Sequence, residues 1–485
     1  MISETSSSGS PGARRADVVV IGSGPGGYVC AARLGQLGRK AVVVEKDAVG
    51  GVCLNVGCIP SKALITAAKL FEKVTHSSEM GIEVSGAKLD AKKLQAWKSG
   101  IVTKLTNGVG QILKAAKVEV VRGTARFVSR SAVEVTGEGG KTVRIEFSNA
   151  VIATGSRPIE IPGFPIDEKK ILSSTGALAL DSIPKTLAVI GGGYIGLELG
   201  MMYAKLGATV TVVEMMDQLL PGFDADLVKV LARKAQKLGI ETHLKARAMG
   251  FAEKKGTLVL SVEAGGKAIE IPAEKILVTV GRKPNSDGLG LEQAGVKFDA
   301  KGFVVVDKHL RTSEPKIFAI GDVAGNPMLA HKASKEGEVA AEIIAGRKSE
   351  MDARAIPAVI FTDPEIATVG LTEPEAVASG FEVVCGKFHF PASGRAMTTG
   401  ETDGFVKVVT EKGTRRFLGL EIVGPDASDL IAEGALAVEM GAFAEDVALT
   451  IHAHPTLAEG VMEAAKAAIG EAIHTANAVA PAGRA

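Results

Sequence analysis

The sequence has few cysteines, few aromatic residues and little excess charge, and each shortage excludes a class of protein. Four cysteines in 485 residues cannot form the dense disulfide framework of a small secreted scaffold. Basic and acidic residues nearly balance, 56 against 55, which argues against nucleic acid or an anionic membrane as a partner. The longest apolar run, residues 187–202, contains five glycines and Glu198, so it does not predict a membrane span.

The two ends of the chain also lack the patterns that form structure. Residues 1–15 are rich in serine and glycine and contain no apolar segment typical of a secretory signal. We therefore expect flexible tails at residues 1–15 and 476–485. The expected location is the cytoplasm, or the mitochondrial matrix in a eukaryote.

A close pair of cysteines, Cys53 and Cys58, is the most informative local feature. Pro60 and an apolar, helix-forming stretch follow at once. Because proline favours the first helical position, the sequence predicts Cys58 near a helix N-terminus, where the partial positive charge stabilises a thiolate. Such a pair can cycle between dithiol and disulfide. A structural disulfide or half of a zinc site are the alternatives, but the other two cysteines, Cys30 and Cys385, stand alone in apolar surroundings.

A glycine-rich module occurs twice, 169 positions apart. In each copy an apolar strand leads into a GxGxxG turn, a helix follows, and a second strand ends in an acid. The first glycine permits a tight turn, the second lets the backbone approach a pyrophosphate, and the third allows the helix to pack closely on the strand. The repeated positions are Gly22 and Gly191, Gly24 and Gly193, Gly27 and Gly196, and Glu45 and Glu214. Each copy predicts a dinucleotide-binding fold; two tight turns without a ligand are the alternative.

The two acids suggest which nucleotides bind. Glu45 and Glu214 can each accept hydrogen bonds from an adenosine ribose. Glu214 would repel a 2′-phosphate, and no arginine follows between residues 215 and 229, so NAD is favoured over NADP in the second module. Because the cysteine pair closely follows the first module, that module is expected to hold FAD, whose flavin exchanges electrons with both a thiolate and a nicotinamide.

Three other strands end in glycine or polar residues. Two apolar segments, residues 150–155 and 276–281, end at Thr154-Gly155 and at Gly281, as expected where the chain crosses between domains. Residues 317–322 end in Gly-Asp. There Asp322 is expected to hold a polyol hydroxyl of the flavin or to cap a helix.

The predicted fold class is α/β, with two Rossmann-like dinucleotide-binding domains, for FAD and NAD, and a C-terminal α+β dimerisation domain. Residues 356–424 are β-rich without a nucleotide signature, and alanine-rich helical segments follow at 429–440 and 458–474. The predicted boundaries are an FAD domain at 16–150, an NAD domain at 151–280, a central segment completing the FAD domain at 281–350, and an interface domain at 351–475.

Two histidines near the C-terminus, His452 and His454, are followed by Glu459. Histidine titrates near neutrality and can take a proton from a thiol, and a neighbouring carboxylate can fix its tautomer. Ordinary loop histidines and a metal site are the alternatives. No third metal ligand is evident, so no metal is expected.

Taken together, these motifs resemble the flavin-dependent pyridine-nucleotide disulfide oxidoreductases, from about residue 16 to residue 474. The resemblance rests on residues 53–62, 191–198, 321–322, 328–333 and 452–459. Within this family, the sequence is most similar to members that oxidise dihydrolipoyl groups with NAD. The resemblance implies a homodimer in which the His454 region of one subunit reaches the cysteines of the other. It also implies a lipoyl-carrying E2 or a glycine-cleavage H-type protein as partner.

The same resemblance implies roles for single residues. Cys53 would form the mixed disulfide with substrate, and Cys58 would lie against the flavin. His454 matches the family's base and Glu459 its orienting carboxylate. The remaining expected cofactor-binding positions are Lys62 and Glu198, a pair near the flavin, Tyr194, an aromatic gate over the nicotinamide pocket, and Ala330, inside the 328–333 motif.

Two kinds of alternative function stay open at this point. One is a related NAD(P)H-dependent disulfide or mercuric reductase, but these relatives use NADP and expect basic residues near Glu214. Mercuric reductases also add a C-terminal cysteine pair, and no cysteine follows Cys385. The other is a flavin-binding scaffold without turnover, which is disfavoured because every chemical position is filled.

Overall fold

The computed structural model describes residues 14–479, and within it the chain forms two compact units. The first unit contains the residues up to Ala63 together with Lys93–Ile159 and Gly281–Asp352. The second contains Leu64–Lys92, Glu160–Val280 and the residues from Ala353 onward. The finer division into three domains stays a prediction.

The secondary structure alternates strands and helices through most of the chain. The strands are β1 (Arg14–Ile21), β2 (Ala41–Glu45), β3 (Glu119–Arg122), β4 (Thr124–Ser129), β5 (Ala132–Thr136), β6 (Thr142–Ile152), β7 (Ser156–Pro158), β8 (Ile171–Leu172), β9 (Thr186–Ile190), β10 (Thr209–Val213), β11 (Glu241–His243), β12 (Ala246–Lys254), β13 (Thr257–Ala264), β14 (Lys267–Ala273), β15 (Lys275–Val278), β16 (Arg282–Pro284), β17 (Ile317–Ala319), β18 (Ala358–Ile360), β19 (Glu365–Gly370), β20 (Val383–His389), β21 (Phe405–Glu411) and β22 (Phe417–Gly424). The α-helices are α1 (Pro25–Gln36), α2 (Gly51–Val56), α3 (Cys58–Thr75), α4 (Ala91–Ala115), α5 (Ser174–Ala177), α6 (Tyr194–Lys205), α7 (Ala225–Lys237), α8 (Leu291–Ala294), α9 (Ala330–Ile344), α10 (Glu373–Ala378), α11 (Gly394–Thr399), α12 (Ala427–Met440), α13 (Ala444–Leu449) and α14 (Glu459–Ile469).

The first unit is organised around one sheet of order β3-β2-β1-β6-β5-β4, in which β17 also pairs with β6. The strands β3, β2, β1, β6 and β17 pair in parallel, whereas β4, β5 and the start of β6 form an antiparallel meander. From Val18 to Ile21, β1 is apolar and buried, which is typical of a parallel strand covered on both faces. This parallel part is the first of the two predicted dinucleotide folds.

The second unit contains the other copy of the module. Its parallel sheet has the order β11-β10-β9-β15-β8. The central order β10-β9-β15 repeats the order β2-β1-β6 of the first unit, so the sequence repeat corresponds to a repeat of topology. A three-stranded antiparallel sheet, β12-β13-β14, lies between β11 and β15 in the chain; it was not predicted from the sequence.

The C-terminal part of the second unit is a five-stranded antiparallel sheet of order β18-β19-β22-β21-β20. The helix α12 packs on β19 and β22, and α14 packs on β20 and β21. The predicted sheet with flanking helices is therefore confirmed, although β19 and α13 were missed. The last helix ends at Ile469 rather than residue 474, because Gly470 adopts a left-handed conformation (φ 83°) at its C-terminus.

Two further expectations differ from the structure in detail. Arg14 and Arg15 belong to β1, and the rest of the predicted N-terminal tail lies outside the described residues. Of the predicted tail at 476–485, only residues 476–479 are described.

One helical stretch among the described residues, Gly51–Thr75, is long and apolar enough to cross a membrane by length and composition alone. It is not one straight helix. Gly57 (φ −138°, ψ −111°) separates α2 from α3, so a rigid span of this length does not form. This stretch carries both cysteines of the pair.

Candidate active site

The two cysteines lie on consecutive helices of the first unit. Cys53 is the third residue of α2, and Cys58 is the first residue of the 18-residue helix α3. Pro60 is therefore the third helical residue rather than the first, a small correction that leaves Cys58 at the helix N-terminus. Both residues are present as thiols, and their side chains are hydrogen-bonded to each other. The spacing of the pair thus brings the two sulfurs within reach of a disulfide.

Several neighbouring groups shift the pKa of the Cys53 thiol. Its hydrogen bond with Cys58 raises the pKa of Cys53 most, and burial and negative charge on Cys58 raise it further. The ammonium of Lys62 acts in the opposite direction, and the carboxylate of Asp322 adds to the increase. Lys62 and Asp322 therefore lie close enough to influence the pair, and the raised pKa keeps Cys53 in its thiol form.

The other two cysteines do not take part. Burial raises the pKa of Cys30 to about 12, and this side chain has no solvent exposure. Cys385 was expected in apolar surroundings, but it is only half-buried and lies beside Glu373 and Lys407. Burial and the Glu373 carboxylate raise the pKa of Cys385 to about 12, so it stays a thiol.

The glycine-rich turn of the first module lies directly against the cysteine-bearing helix. Gly50 donates its backbone N–H to the carbonyl of Ser23 at 3.0 Å. A Cβ on Gly51 would lie 2.7 Å from the Cα of Gly24, so only glycine permits this approach. A nucleotide bound at the turn would therefore be a close neighbour of the dithiol.

The three glycines of each turn have the three different environments that the dinucleotide fingerprint requires. A Cβ on Gly27 would lie 2.0 Å from the carbonyl oxygen of Gly22, and one on Gly196 would lie 2.2 Å from that of Gly191. The third glycine is thus required by the packing of helix on strand. By contrast, a Cβ on Gly24 or Gly193 would meet no atom of the described residues within 4 Å. The space beside the second glycine is where a pyrophosphate would lie, so both turns fit a dinucleotide.

The acid at the end of the second strand is held in the same way in both modules. Glu45 accepts the backbone N–H of Ser23 and of Asp47, each at 2.8 Å. Glu214 accepts those of Gly192 and Met216, each at 2.7 Å. Both carboxylates are buried and oriented, and each keeps lone pairs for the hydroxyls of a ribose.

A network missed by the sequence reasoning positions the segment after β6. The side chain of Asn285 donates to the carbonyl of Thr154 at 2.9 Å, and its backbone N–H donates to Gly155 at 2.9 Å. The hydroxyl of Thr154 returns a bond to the Asn285 carbonyl at 2.7 Å. No motif in the sequence connects residues 130 positions apart, so only the pairing of β7 with β16 reveals this clamp.

Asp322 is not the cap of an α-helix. It lies in a single 3₁₀ turn (Gly321–Ala324), and its carboxylate accepts the hydroxyl of Ser156. The turn is held by buried Glu336, which accepts the Gly321 N–H at 2.7 Å and pairs with Lys332 at 2.8 Å. The position fits the predicted contact with a polyol, and the capping alternative is wrong.

His454 and Glu459 come together in the second unit. Nδ1 of His454 lies 2.9 Å from Oε1 of Glu459, and Oε2 of the same carboxylate accepts the N–H of Thr456 at 2.9 Å. Although partial burial favours its neutral form, the hydrogen bonds from Thr456 and His454 lower the pKa of Glu459. The His454 side chain is 79% exposed, whereas that of Glu459 is 27% exposed.

The remaining predicted positions lie at the starts or ends of elements. Tyr194 begins α6 and is 42% exposed, and Glu198 is buried one turn later, where it accepts the Phe361 N–H at 2.9 Å. Ala330 begins α9, and Gly281 directly precedes β16. The roles given to these residues stay predictions.

The sequence matches two family models that together cover most of the chain. Residues 16–337 match the pyridine nucleotide-disulphide oxidoreductase model, and residues 356–465 match the dimerisation domain of the same family. The chain belongs to the pyridine nucleotide-disulphide oxidoreductase family. The predicted fold class and oxidoreductase activity are confirmed, FAD and NAD are the cofactors of this family, and the dimerisation domain supports the expected homodimer.

Relatives with assigned names extend over almost the whole chain. Dihydrolipoyl dehydrogenase from Geobacillus stearothermophilus is 51% identical over 94% of this chain and 97% of its own length. The enzyme of that name from Haloferax volcanii is 52% identical, with 95% and 98% covered. Among solved structures, LpdA from Mycobacterium tuberculosis superposes with a TM-score of 0.87 at 27% identity, covering 93% of this chain and 99% of that chain.

Proposed function

We propose that this member of the family is a dihydrolipoyl dehydrogenase, which oxidises protein-bound dihydrolipoyl groups to the cyclic lipoyl disulfide with NAD as final acceptor. The observation that carries the proposal is the hydrogen-bonded pair Cys53–Cys58 against the first nucleotide-binding turn. It is supported by relatives of that name at about half identity over nearly the full length.

The residues of the chain suggest how the thiol chemistry proceeds. His454, oriented by Glu459, takes a proton from one thiol of the substrate. The resulting thiolate attacks the sulfur of Cys53 in the oxidised enzyme, which breaks the Cys53–Cys58 bond and leaves negative charge on Cys58. The second substrate thiol then attacks the first substrate sulfur and displaces Cys53. The product leaves as the cyclic lipoyl disulfide.

Two electrons from the substrate are then stored in the cysteine pair. Gly24 and Glu45 of the first module would hold FAD beside the pair, and the bound flavin would supply the electron transfer from the dithiol to NAD. The chain's own part is to hold the two sulfurs in hydrogen-bond contact, which raises the pKa of Cys53. Lys62 and Asp322 tune that pKa with opposite charges.

The choice of NAD over NADP is supported by Glu214. Its carboxylate is fixed by two backbone N–H groups, so it cannot turn away from a 2′-phosphate without losing both. The Glu214 carboxylate would therefore repel the 2′-phosphate of NADP without being able to move away from it.

The partner is proposed to be a lipoyl-carrying E2 or a glycine-cleavage H-type protein, and the active form a homodimer in the cytoplasm. Exposed His454 supports a site completed by a second subunit. A membrane and nucleic acid are not among the proposed partners, in keeping with the near-zero net charge of the chain.

The test is a steady-state assay of purified, FAD-loaded protein. Dihydrolipoamide with NAD should give turnover, while glutathione disulfide or mercuric ion with NADPH should give far less. Reduction of either alternative substrate at a rate equal to or above that with dihydrolipoamide would replace this proposal with the disulfide or mercuric reductase. No turnover with any of them would favour a flavin-binding scaffold.

A further inference from the structure

The loop that carries His454 connects α13 to α14, and near the base it is closed on itself, since the Thr456 hydroxyl donates to the Ala453 carbonyl at 2.7 Å. The His454 ring has Glu459 as its ring hydrogen-bond partner and is otherwise 79% exposed. Ile451, three residues earlier, is 96% exposed. An exposed base on a connecting loop needs an anchor elsewhere to keep its geometry.

His452 has the opposite orientation and is such an anchor. Its side chain is only 6% exposed. Nε2 lies 2.7 Å from Oε1 of Glu433 on α12, and Nδ1 lies 2.9 Å from the carbonyl oxygen of Thr450. The loop is therefore fastened to a helix of the antiparallel-sheet region two residues before the base.

The chemistry of the two contacts fixes the form of the ring. A backbone carbonyl and a carboxylate are both acceptors. With Glu433 ionised, both hydrogen bonds are made when the ring of His452 carries a hydrogen on each nitrogen, that is, as an imidazolium. The cation then faces the Glu433 carboxylate as an ion pair, and such charge-assisted bonds are stronger than neutral ones.

The charge of His452 also reaches the other member of the catalytic pair. It contributes, with His454 and the Thr456 N–H, to lowering the pKa of Glu459. The charged groups around His452 are thus Glu433 from α12, Glu459 from α14 and His454 on its own loop.

We propose that buried His452 and partly exposed Glu433 form an ion pair that positions the base His454 and adds a positive charge near the His454–Glu459 pair. His452 is a positioning residue, because it touches neither substrate nor cofactor in this arrangement. The inference rests on the proposed function, which assigns His454 as the base for thiol oxidation.

The test is His452→Gln in the FAD-loaded enzyme. Oxidation of dihydrolipoamide should fall in kcat by about 10- to 100-fold, since a small displacement of a base has effects of this size. Hydride exchange between NADH and an NAD analogue should be unchanged, because it does not use His454. The acid limb of the pH–rate profile should move to higher pH, because losing a cation beside His454 favours its protonated form. A purely structural role for His452 would not move that limb.

Two further variants sharpen the result. Glu433→Gln should also lower kcat, and the double variant should be no worse than the more severe single one, because the residues act as one pair. His309→Gln is the matched control. It removes a histidine that faces an acid, Glu350, at 3.8 Å on the surface, and all rates should match the unchanged enzyme.

Two results would overturn the proposal. One is a His452→Gln enzyme with unchanged kcat and pH profile. The other is an equal loss of hydride exchange, which would indicate general damage to the fold. If the unchanged enzyme does not oxidise dihydrolipoamide, the proposed function fails separately, and the same comparison is made with dithiothreitol as the reducing dithiol.

Discussion

Nζ of Lys407 lies 2.9 Å from Oε2 of Glu421, on neighbouring strands β21 and β22, and both side chains are 1% exposed. The same ammonium also bonds Asp224, at the start of α7. It also lies 3.4 Å from Oε2 of Glu373, so one cation is shared among three carboxylates. Neither oxygen of Glu421 has a well-aligned hydrogen bond within residues 14–479. Burial accordingly raises the pKa of Glu421 to about 7, although Lys407 opposes it.

The first prediction concerns this pair and pH. Because the folded-state pKa of Glu421 is above its unfolded value, the folded chain binds the extra proton, and this residue's contribution to stability declines as pH rises from about 4.5 to about 7. Glu421→Gln should remove that slope and raise the free energy of unfolding at pH 8 by roughly 1–3 kcal/mol. Lys407→Met, which removes the cation beside buried Glu421 and partly exposed Asp224, should lower it by about 3–5 kcal/mol.

Denaturant unfolding at pH 5 and pH 8 measures both effects. The natural control is Lys254→Met, which breaks an exposed pair with Glu270 and should change stability by less than about 1 kcal/mol. A Glu421→Gln variant that is destabilised at pH 8 would show that Glu421 is fully ionised and well paired.

The second prediction separates two glycines of one turn. Gly196→Ala places a Cβ 2.2 Å from a backbone oxygen and should destabilise the fold by about 1–3 kcal/mol or more. Gly193→Ala meets no such atom, so its thermal midpoint should stay the same while its Kd for NAD rises about tenfold, which is roughly 1.4 kcal/mol. Thermal unfolding and calorimetric titration distinguish them. Equal behaviour of the two variants would contradict the assignment of the open space to the pyrophosphate.

The third prediction concerns the interchange thiol. Cys53→Ser should abolish dihydrolipoamide oxidation but leave bound flavin and its absorption spectrum, because the hydroxyl cannot form the mixed disulfide. Cys30→Ser is the control, since that thiol is fully buried; it should retain activity. Continued turnover with NAD by the Cys53 variant would remove the cysteine pair from the mechanism.

The fourth prediction concerns the exposed base. His454→Gln should lower dihydrolipoamide oxidation by about 10²- to 10⁴-fold, the usual contribution of general acid–base catalysis. The Thr456 N–H, which remains in the variant, still lowers the pKa of Glu459, so this carboxylate is too weak a base to replace the imidazole. Rapid-mixing measurements of flavin reduction by dihydrolipoamide would show the defect, and an undiminished rate would assign the proton transfer to another group.

Local patterns and the repeat predicted much of this fold. The 169-position spacing indicated two modules, and the structure gives them the same strand order because identical local patterns lead to identical parallel pairing. The close spacing of Cys53 and Cys58 predicted their contact, since the intervening residues leave little room for separation.

The missed parts depend on contacts that are distant in sequence. Asn285 and Thr154 meet through the pairing of short strands far apart in the chain, and Asn285 has no distinguishing neighbours. The sequence pattern assigns a role to His454 but none to His452, because it shows residue types and not which side chain turns inward. The charged setting of Cys385 was missed for the same reason, as Glu373 and Lys407 come from other elements.

The two nucleotide turns differ in one detail with a bearing on how long each ligand stays. In the first, the hydroxyl of Ser23 adds a third bond to Glu45 at 2.6 Å; in the second, Gly192 has no side chain to do so for Glu214. A carboxylate held by three hydrogen bonds, as Glu45 is, suits a prosthetic group that stays bound through every catalytic cycle. One held by two, as Glu214 is, suits a coenzyme that leaves after each cycle. The duplicated module thus suits one nucleotide that stays bound and another that exchanges in each catalytic cycle.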